Sequence, residues 1–352
     1  MSGLSVFDHP WHSGLLGDDE MQAIWSADRQ LQHMLTFEAA WTRALAAAGT
    51  IDALRAETLA PLIEAFEPDF EDLRAGTAKD GLPIPALVRQ LKAALGDLGV
   101  HTGSTSQDVI DTALVFAMRD TLDVVEARLN RLMSALDNLQ GTYGQSPLMG
   151  RTRMQAATKI TVGDRIAAWA SPLPAHVERI AQMRNRVLTV PVGGASGDRA
   201  AFRAQNTTIV AALEETLALP VADKAWHTGR DGVVEFASNL SLITGSLGKI
   251  GQDLCLMAQQ GIDEVKIAGG GGSSAMPHKQ NPILAELLVT LARFNATQVS
   301  GMHHAMVHEQ ERSGAAWALE WMILPQMTMA TGRALTACTD VVGAIEHIGT
   351  RE

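Results

Sequence analysis

The chain has 352 residues, of which 46% are hydrophobic, enough for a sizeable core; this excludes a disordered or fibrous protein. Its 28 basic and 39 acidic residues give a formal charge of −11 with no long basic run, which excludes nucleic acid or an anionic membrane as the main partner. An anionic substrate must then be held by local cations.

Cys255 and Cys338 lie inside apolar helical patterns and are expected to be buried free thiols of a reducing, cytoplasmic setting. Residues 1–18 lack a basic start followed by an apolar run, and no window approaches membrane-spanning length. Apolar residues recur at helical spacing almost throughout while alternating strand patterns are nearly absent, so the expected fold is all-α.

In chain order, helices are predicted over 20–49, ending at a glycine stop, and over 58–66 and 85–98. These make up an N-terminal helical domain, 1–100. Next comes the polar cluster His101-Thr102-Gly103-Ser104-Thr105-Ser106-Gln107-Asp108. Ser106 is placed to cap the following helix and Asp108 to sit in its first turn. A cap needs one such residue; the surplus of donors beside a positive helix end suits an anion.

The helix predicted over Ser106–Tyr143 carries Ile110, Leu114, Ala117, Val125, Leu129, Leu132, Leu136 and Leu139 at near-heptad spacing. At about 1.5 Å per residue it spans roughly 55 Å, longer than a small domain. The cluster Gly150-Arg151-Thr152-Arg153-Met154-Gln155 follows. An extended backbone there points both guanidinium groups to one side, where they could flank a carboxylate, although solvated loop arginines fit equally well.

Further helices are predicted over 160–187, 231–260, 283–308 and around 327–348, within a central bundle domain, 101–345. Four or more rods with apolar residues on several faces need more neighbours than one chain supplies, so an oligomer is expected. His227, in Trp226-His227-Thr228-Gly229-Arg230-Asp231, and Arg312, in Glu309-Gln310-Glu311-Arg312-Ser313, stand beside helix ends, with structural and catalytic roles about equally open. His303 and His304 are adjacent on a helix and diverge, so they do not share a metal.

The most informative stretch is the glycine-rich loop 267–282, with Gly269 to Gly272 leading into Ser273, Ser274, His278, Lys279 and Asn281. Four glycines belong where a backbone moves or approaches a ligand closely, as in a lid. Lys279 and Asn281 are a point charge and a neutral donor suited to a carboxylate, and Pro282 marks a helix start whose free N–H groups face the same anion.

That loop reads Gly-Ser-Ser-x-Met-Pro-x-Lys-x-Asn-Pro from Gly272 to Pro282 and thereby closely resembles the hallmark of the fumarase/aspartase superfamily. The Thr105-Ser106 and Thr152 to Gln155 clusters fall in the order of its other two signature regions. The resemblance implies a long-helix bundle, a cofactor-independent and metal-free homotetramer, and active sites shared between subunits. His101 to Thr112 and Met276 to Lys279 are similar to the branch that holds adenylosuccinate lyase and the carboxymuconate cycloisomerases. Lyases of the superfamily generally carry Thr-His in the second region; this chain has Thr152-Arg153, and the cycloisomerases similarly lack that histidine, Arg151-Thr152-x-Met154-Gln155 resembling their version. A guanidinium removes the general base.

The implied chemistry is intramolecular lactonisation of a small tricarboxylate diene in protocatechuate breakdown. Ser273 is then the proton-transfer residue, with Ser274 and His101 beside it. Thr105, Ser106, Gln107, Arg151, Arg153, Gln155, His278, Lys279 and Asn281 are the substrate-binding set, His101 also holding a carboxylate, and Asp108, Glu286 and Arg312 support them. Glu286, which in the lyases supports the missing histidine, is expected to contact Arg153. The chain also looks shorter than superfamily members, with most of the small C-terminal domain absent. The rivals are a lyase of the adenylosuccinate type, opposed by Arg153, and a non-catalytic helical scaffold, opposed by the intact Ser273, Lys279 and Asn281.

Overall fold

A computed structural model of the protein describes residues 5–272, 276 and 279–350. Short helices α1 (Ser13–Leu16) and α2 (Asp19–Ile24) lead into α3 (Ala27–Ala47), α4 (Ala53–Glu64), α5 (Phe70–Asp80) and α6 (Ile84–Leu95). The long α7 (Ser106–Tyr143) is followed by strands β1 (Pro147–Thr152) and β2 (Gln155–Thr161), then α8 (Val162–Ala170) and α9 (Pro172–Val187). A 3-10 turn (Ala200–Gln205) and α10 (Asn206–Leu217) precede α11 (Asp231–Met257). Strands β3 (Val265–Ile267), β4 (Gly271–Gly272) and β5 (Gln280–Asn281) lead to α12 (Ile283–Ala305), α13 (Ala315–Gly343) and β6 (Ile345–Ile348). The fold is all-α in class, with small antiparallel ladders β1-β2, β3-β6 and β4-β5 at its edges.

Several boundaries differ from the sequence reading, each for a local reason. The helix expected over 20–49 is interrupted because the Ser26 hydroxyl accepts from Arg29 N and starts α3 afresh. The rod expected over 160–187 breaks between α8 and α9, where Pro172 occupies the first turn and cannot donate to the preceding one. Its start is a strand: β2 runs into a capping box formed by Thr161 and Asp164. The last helix begins at Ala315, continues through Pro325, and gives way to β6 before residue 348. α5 and α10 were not foreseen.

The rods are held close by small residues. A Cβ on Gly251 would stand 2.5 Å from Ala285 O and 2.7 Å from Leu288 Cβ, so α11 and α12 touch backbone to backbone there. Arg230, just before α11, binds Asp111 near the start of α7, and Glu264, beyond the end of α11, binds Arg151 beyond the end of α7. Those two helices therefore run the same way, and α12 returns antiparallel along α11 and packs on α13. At about 1.5 Å per residue, the 38 residues of α7 separate the two ends of the bundle by about 57 Å. No helix among the described residues is long and apolar enough to cross a membrane.

Candidate active site

One end of the bundle is organised by the first turn of α7. Thr105 and Asp108 form a capping box there, with Thr105 N donating to Asp108 Oδ2 at 3.0 Å. Asp108 is fully buried and does more than cap. It accepts from Gly193 N (2.8 Å), Gly194 N (3.0 Å) and His227 Nε2 (2.9 Å). A Cβ on Gly193 would meet Ala225 Cβ at 2.5 Å and Gly197 Cα at 2.7 Å, so only glycine lets this loop approach the carboxylate.

Gln107, also buried, donates through Nε2 to Asp111 and to His227 O, and its Oε1 accepts from Arg312 Nε at 3.2 Å. Arg312 also donates to Ala195 O, tying the segment after α12 to the helix start. His227 and Arg312, whose roles the sequence left open, both serve the first turn of α7. Ser106 and His101 sit half-buried at the same end.

Behind this cap lies a sealed ionic cluster that sequence reasoning missed. Arg230 is 1% exposed and binds Asp111 (2.7 Å) on one side and Glu320 (2.5 Å) on the other. Trp317 Nε1 donates to Asp111, and His308 Nε2 stands 3.6 Å from Glu320. Burial works against the Arg230 charge, but the two carboxylates reverse that and hold the guanidinium above its ordinary value. Burial likewise opposes the Glu320 charge, which His308 and Arg230 restore, keeping its carboxyl below the usual range.

The other end carries the second and third polar clusters. β1 and β2 form a hairpin in which Thr152 pairs with Gln155, leaving a two-residue turn of Arg153 (φ 48°) and Met154 (φ 67°). Positive φ at both central positions is the type I′ geometry, which matches strand twist and favours Asn-Gly. The expected extended run, with Arg151 and Arg153 on one side, is therefore corrected. Arg151 is engaged instead by Glu264 at 2.6 Å, while Arg153 stands exposed at the tip. Gln155 starts β2, also exposed.

In the glycine-rich segment, Gly271 pairs with Asn281 and Gly272 with Gln280. Two of the four glycines are thus laddered, not slack. A Cβ on Gly271 would lie 2.7 Å from Ile283 Cγ1, which explains glycine there by close approach. Lys279 and Asn281 line a cavity of about 560 Å³ with Gln260, Asp263, Lys266 and Met276. Ser273, Ser274 and His278 lie outside the described residues. Glu286 is the exposed residue of the first turn of α12, close enough to Cys255 to help burial raise that thiol; no contact with Arg153 occurs among the described residues.

The sequence-predicted residues thus fall into two groups. His101, Thr105, Ser106, Gln107, Asp108 and Arg312 gather at one end of the bundle; Arg151, Arg153, Gln155, Lys279, Asn281 and Glu286 gather at the other. Polar residues concentrated at the ends of long packed rods, with a glycine-braced hairpin before one of them, define a helical bundle with its candidate binding groups at both ends.

A lyase family pattern matches residues 17–301. A 3-carboxy-cis,cis-muconate cycloisomerase of Pseudomonas aeruginosa is 38% identical over 93% of this chain and 73% of its own length. The crystal structure of a 3-carboxy-cis,cis-muconate lactonizing enzyme from Pseudomonas putida superposes with a TM-score of 0.89 at 36% identity, covering 96% of this chain and 77% of that one. A fumarate lyase from Mesorhizobium sp. BNC1 superposes at 0.87 with 32% identity, covering 94% and 76%. The chain belongs to this lyase family, within the fumarase/aspartase superfamily and alongside its carboxymuconate cycloisomerases.

Proposed function

We propose that the protein cyclises 3-carboxy-cis,cis-muconate to 4-carboxymuconolactone, in cytoplasmic breakdown of protocatechuate. One substrate carboxylate oxygen forms the new C–O bond across a double bond. The displaced electron pair collects on a neighbouring carboxylate as an enolate, and one proton is added to the adjacent carbon. The ionised product carries one proton more and one negative charge fewer than the substrate, and solvent returns to the enzyme the proton it gives up. The nucleophile belongs to the substrate; the enzyme binds three negative charges, stabilises the enolate and supplies the proton. By the superfamily pattern Ser273 delivers it, with Lys279 steadying the alkoxide.

The observation that carries this reading is the turn at Arg153 and Met154. Neither is a residue that type I′ geometry favours, and a left-handed backbone costs such residues roughly 1–2 kcal/mol. Strain kept at an exposed tip points to side chains that are used. A guanidinium there supplies fixed positive charge where a lyase of this superfamily would place a base, and the relatives named as cycloisomerases support the same reading.

A site drawing on both ends of the bundle cannot be assembled within one chain, since about 57 Å of α7 separates them. We therefore read the active form as a homotetramer whose sites combine the cap end of one subunit with the lid end of others. Incubating purified protein with carboxymuconate and following loss of its ultraviolet absorbance tests the activity. Release of fumarate from adenylosuccinate instead would replace this reading by the lyase one.

A further inference from the structure

We infer that Glu38 fixes the charge and aim of His101, making that imidazole a cationic donor for a substrate carboxylate and not the proton source of the reaction. Glu38 is a positioning residue: it acts through His101. The identity of the anion rests on the function proposed above; the pairing itself does not.

Three side chains on neighbouring turns of α3 grip the loop that carries His101. Thr42 Oγ1 donates to Gly99 O at 2.8 Å, Trp41 Nε1 donates to Thr102 O at 2.9 Å, and Glu38 Oε1 takes His101 Nδ1 at 2.5 Å. His101 itself has φ 55°, a left-handed backbone that a non-glycine residue adopts only when its surroundings impose it. The loop is thus held at three points in a conformation that orients one ring.

The charge follows from burial. Glu38 is 0% exposed, and its second oxygen, Oε2, has no hydrogen-bond partner among the described residues. An ionised carboxylate sealed in this way requires a cation against it, and the short contact to His101 is of the charge-assisted kind. The charged groups facing the ring are Glu38 from α3, Asp108 from α7 and Lys92 from α6. Burial disfavours the imidazolium and Lys92 opposes it, but Glu38 and Asp108 outweigh both, so the ring holds its proton above the ordinary histidine range.

The ring is not fully sealed. Its side chain is 15% exposed, and Nδ1 is the nitrogen that Glu38 occupies. Nε2, with no hydrogen-bond partner among the described residues, is left to offer its N–H outward beside the donors at the start of α7. A group whose proton is tightened by a buried carboxylate is a good anchor for an anion and a poor general acid.

The test uses the full chain with isotope-labelled histidine, the His101 signal being assigned by its loss in His101→Asn. Nuclear magnetic resonance titration should give His101 a midpoint above the ordinary histidine value, and Glu38→Gln should lower it by at least about one pH unit, the lower end for loss of an adjacent opposite charge. With carboxymuconate, Glu38→Gln should raise KM on the order of 10-fold at pH 8, recover at pH 6 where the ring is again protonated, and change kcat little. Glu38→Asp, which keeps the charge but shortens the reach, should preserve the midpoint and still raise KM. An unmoved midpoint in Glu38→Gln would overturn the pairing. A fall in kcat with KM unchanged would make His101 the proton source and overturn its role as an anchor. Absence of any carboxymuconate turnover in the unaltered protein would defeat the proposed function, while the titration would still decide the pairing.

Discussion

His227 Nε2 lies 2.9 Å from Asp108 Oδ1, with both side chains buried at the start of a 38-residue helix. The same carboxylate accepts from Thr105 N, Gly193 N and Gly194 N, so one side chain joins the cap of α7, the 193–194 loop and the segment before α11. The candidate substrate-binding end of the bundle is built around it.

Asp108→Asn should therefore destabilise the protein by about 3 kcal/mol, because the amide presents an NH₂ to donors and leaves at least one buried N–H unpaired. Chemical unfolding followed by circular dichroism measures this. A loss below about 0.5 kcal/mol, the range of ordinary surface changes, would show that the contacts are incidental.

Arg230 makes a harsher case, since removing it leaves Asp111 and Glu320 buried and uncompensated. Arg230→Met should cost about 3–5 kcal/mol. The triple variant Arg230→Met/Asp111→Leu/Glu320→Met should recover much of that, because an apolar cluster of similar volume removes the stranded charges. Thermal unfolding of the two variants compares them directly.

Stability should fall in mild acid. Burial, aided by Arg29 for His33 and by Arg179 for His176, lowers both imidazoles from 6.5 to about 4. The unfolded chain takes up these protons first, so stability is full above pH 6.5 and is lost as pH falls from there toward 4. Each contributes on the order of 1–3 kcal/mol to that loss. The double variant His33→Gln/His176→Gln should show a smaller drop in Tm between pH 7 and pH 4.5 than the unaltered protein; an equal drop would assign the acid sensitivity to other groups.

At the hairpin, Met154→Gly should raise stability by roughly 1 kcal/mol, since glycine adopts φ 67° without strain. Arg153→Asn should leave the turn intact while raising KM for carboxymuconate, with Arg153→Lys intermediate. Unchanged kinetics in a folded Arg153→Asn protein would leave the strained turn without a function.

The sequence showed some of this plainly and hid the rest for definable reasons. The extent of α7 was legible in its near-heptad stripe, but its cap was misplaced by one residue: Thr105, not Ser106, is the N-cap, because Asp108 then stands at the third helical position and closes a capping box; the starts of α11 and α12 were legible at Asp231 and after Pro282. The β1-β2 hairpin was not. Residues 155–159 are all exposed, so β2 has no apolar alternation to read, and its turn lacks the Asn-Gly signal. The partners were equally invisible: Glu38 is 63 residues from His101, Arg151 is 113 from Glu264, and Arg230 is 119 from Asp111. No local pattern announces such pairs; only packing brings them together.

The central claim is that one active site uses the cap end of one subunit and the lid end of another, and subunit mixing tests it most directly. His101→Asn and Lys279→Ala, each impaired alone with carboxymuconate, are unfolded together, refolded together and assayed. Mixed tetramers contain sites in which an intact His101 meets an intact Lys279 from different chains, so activity should rise well above that of either variant refolded alone. Activity no higher than the mean of the two parents, in tetramers shown to contain both chains, would contradict the shared site.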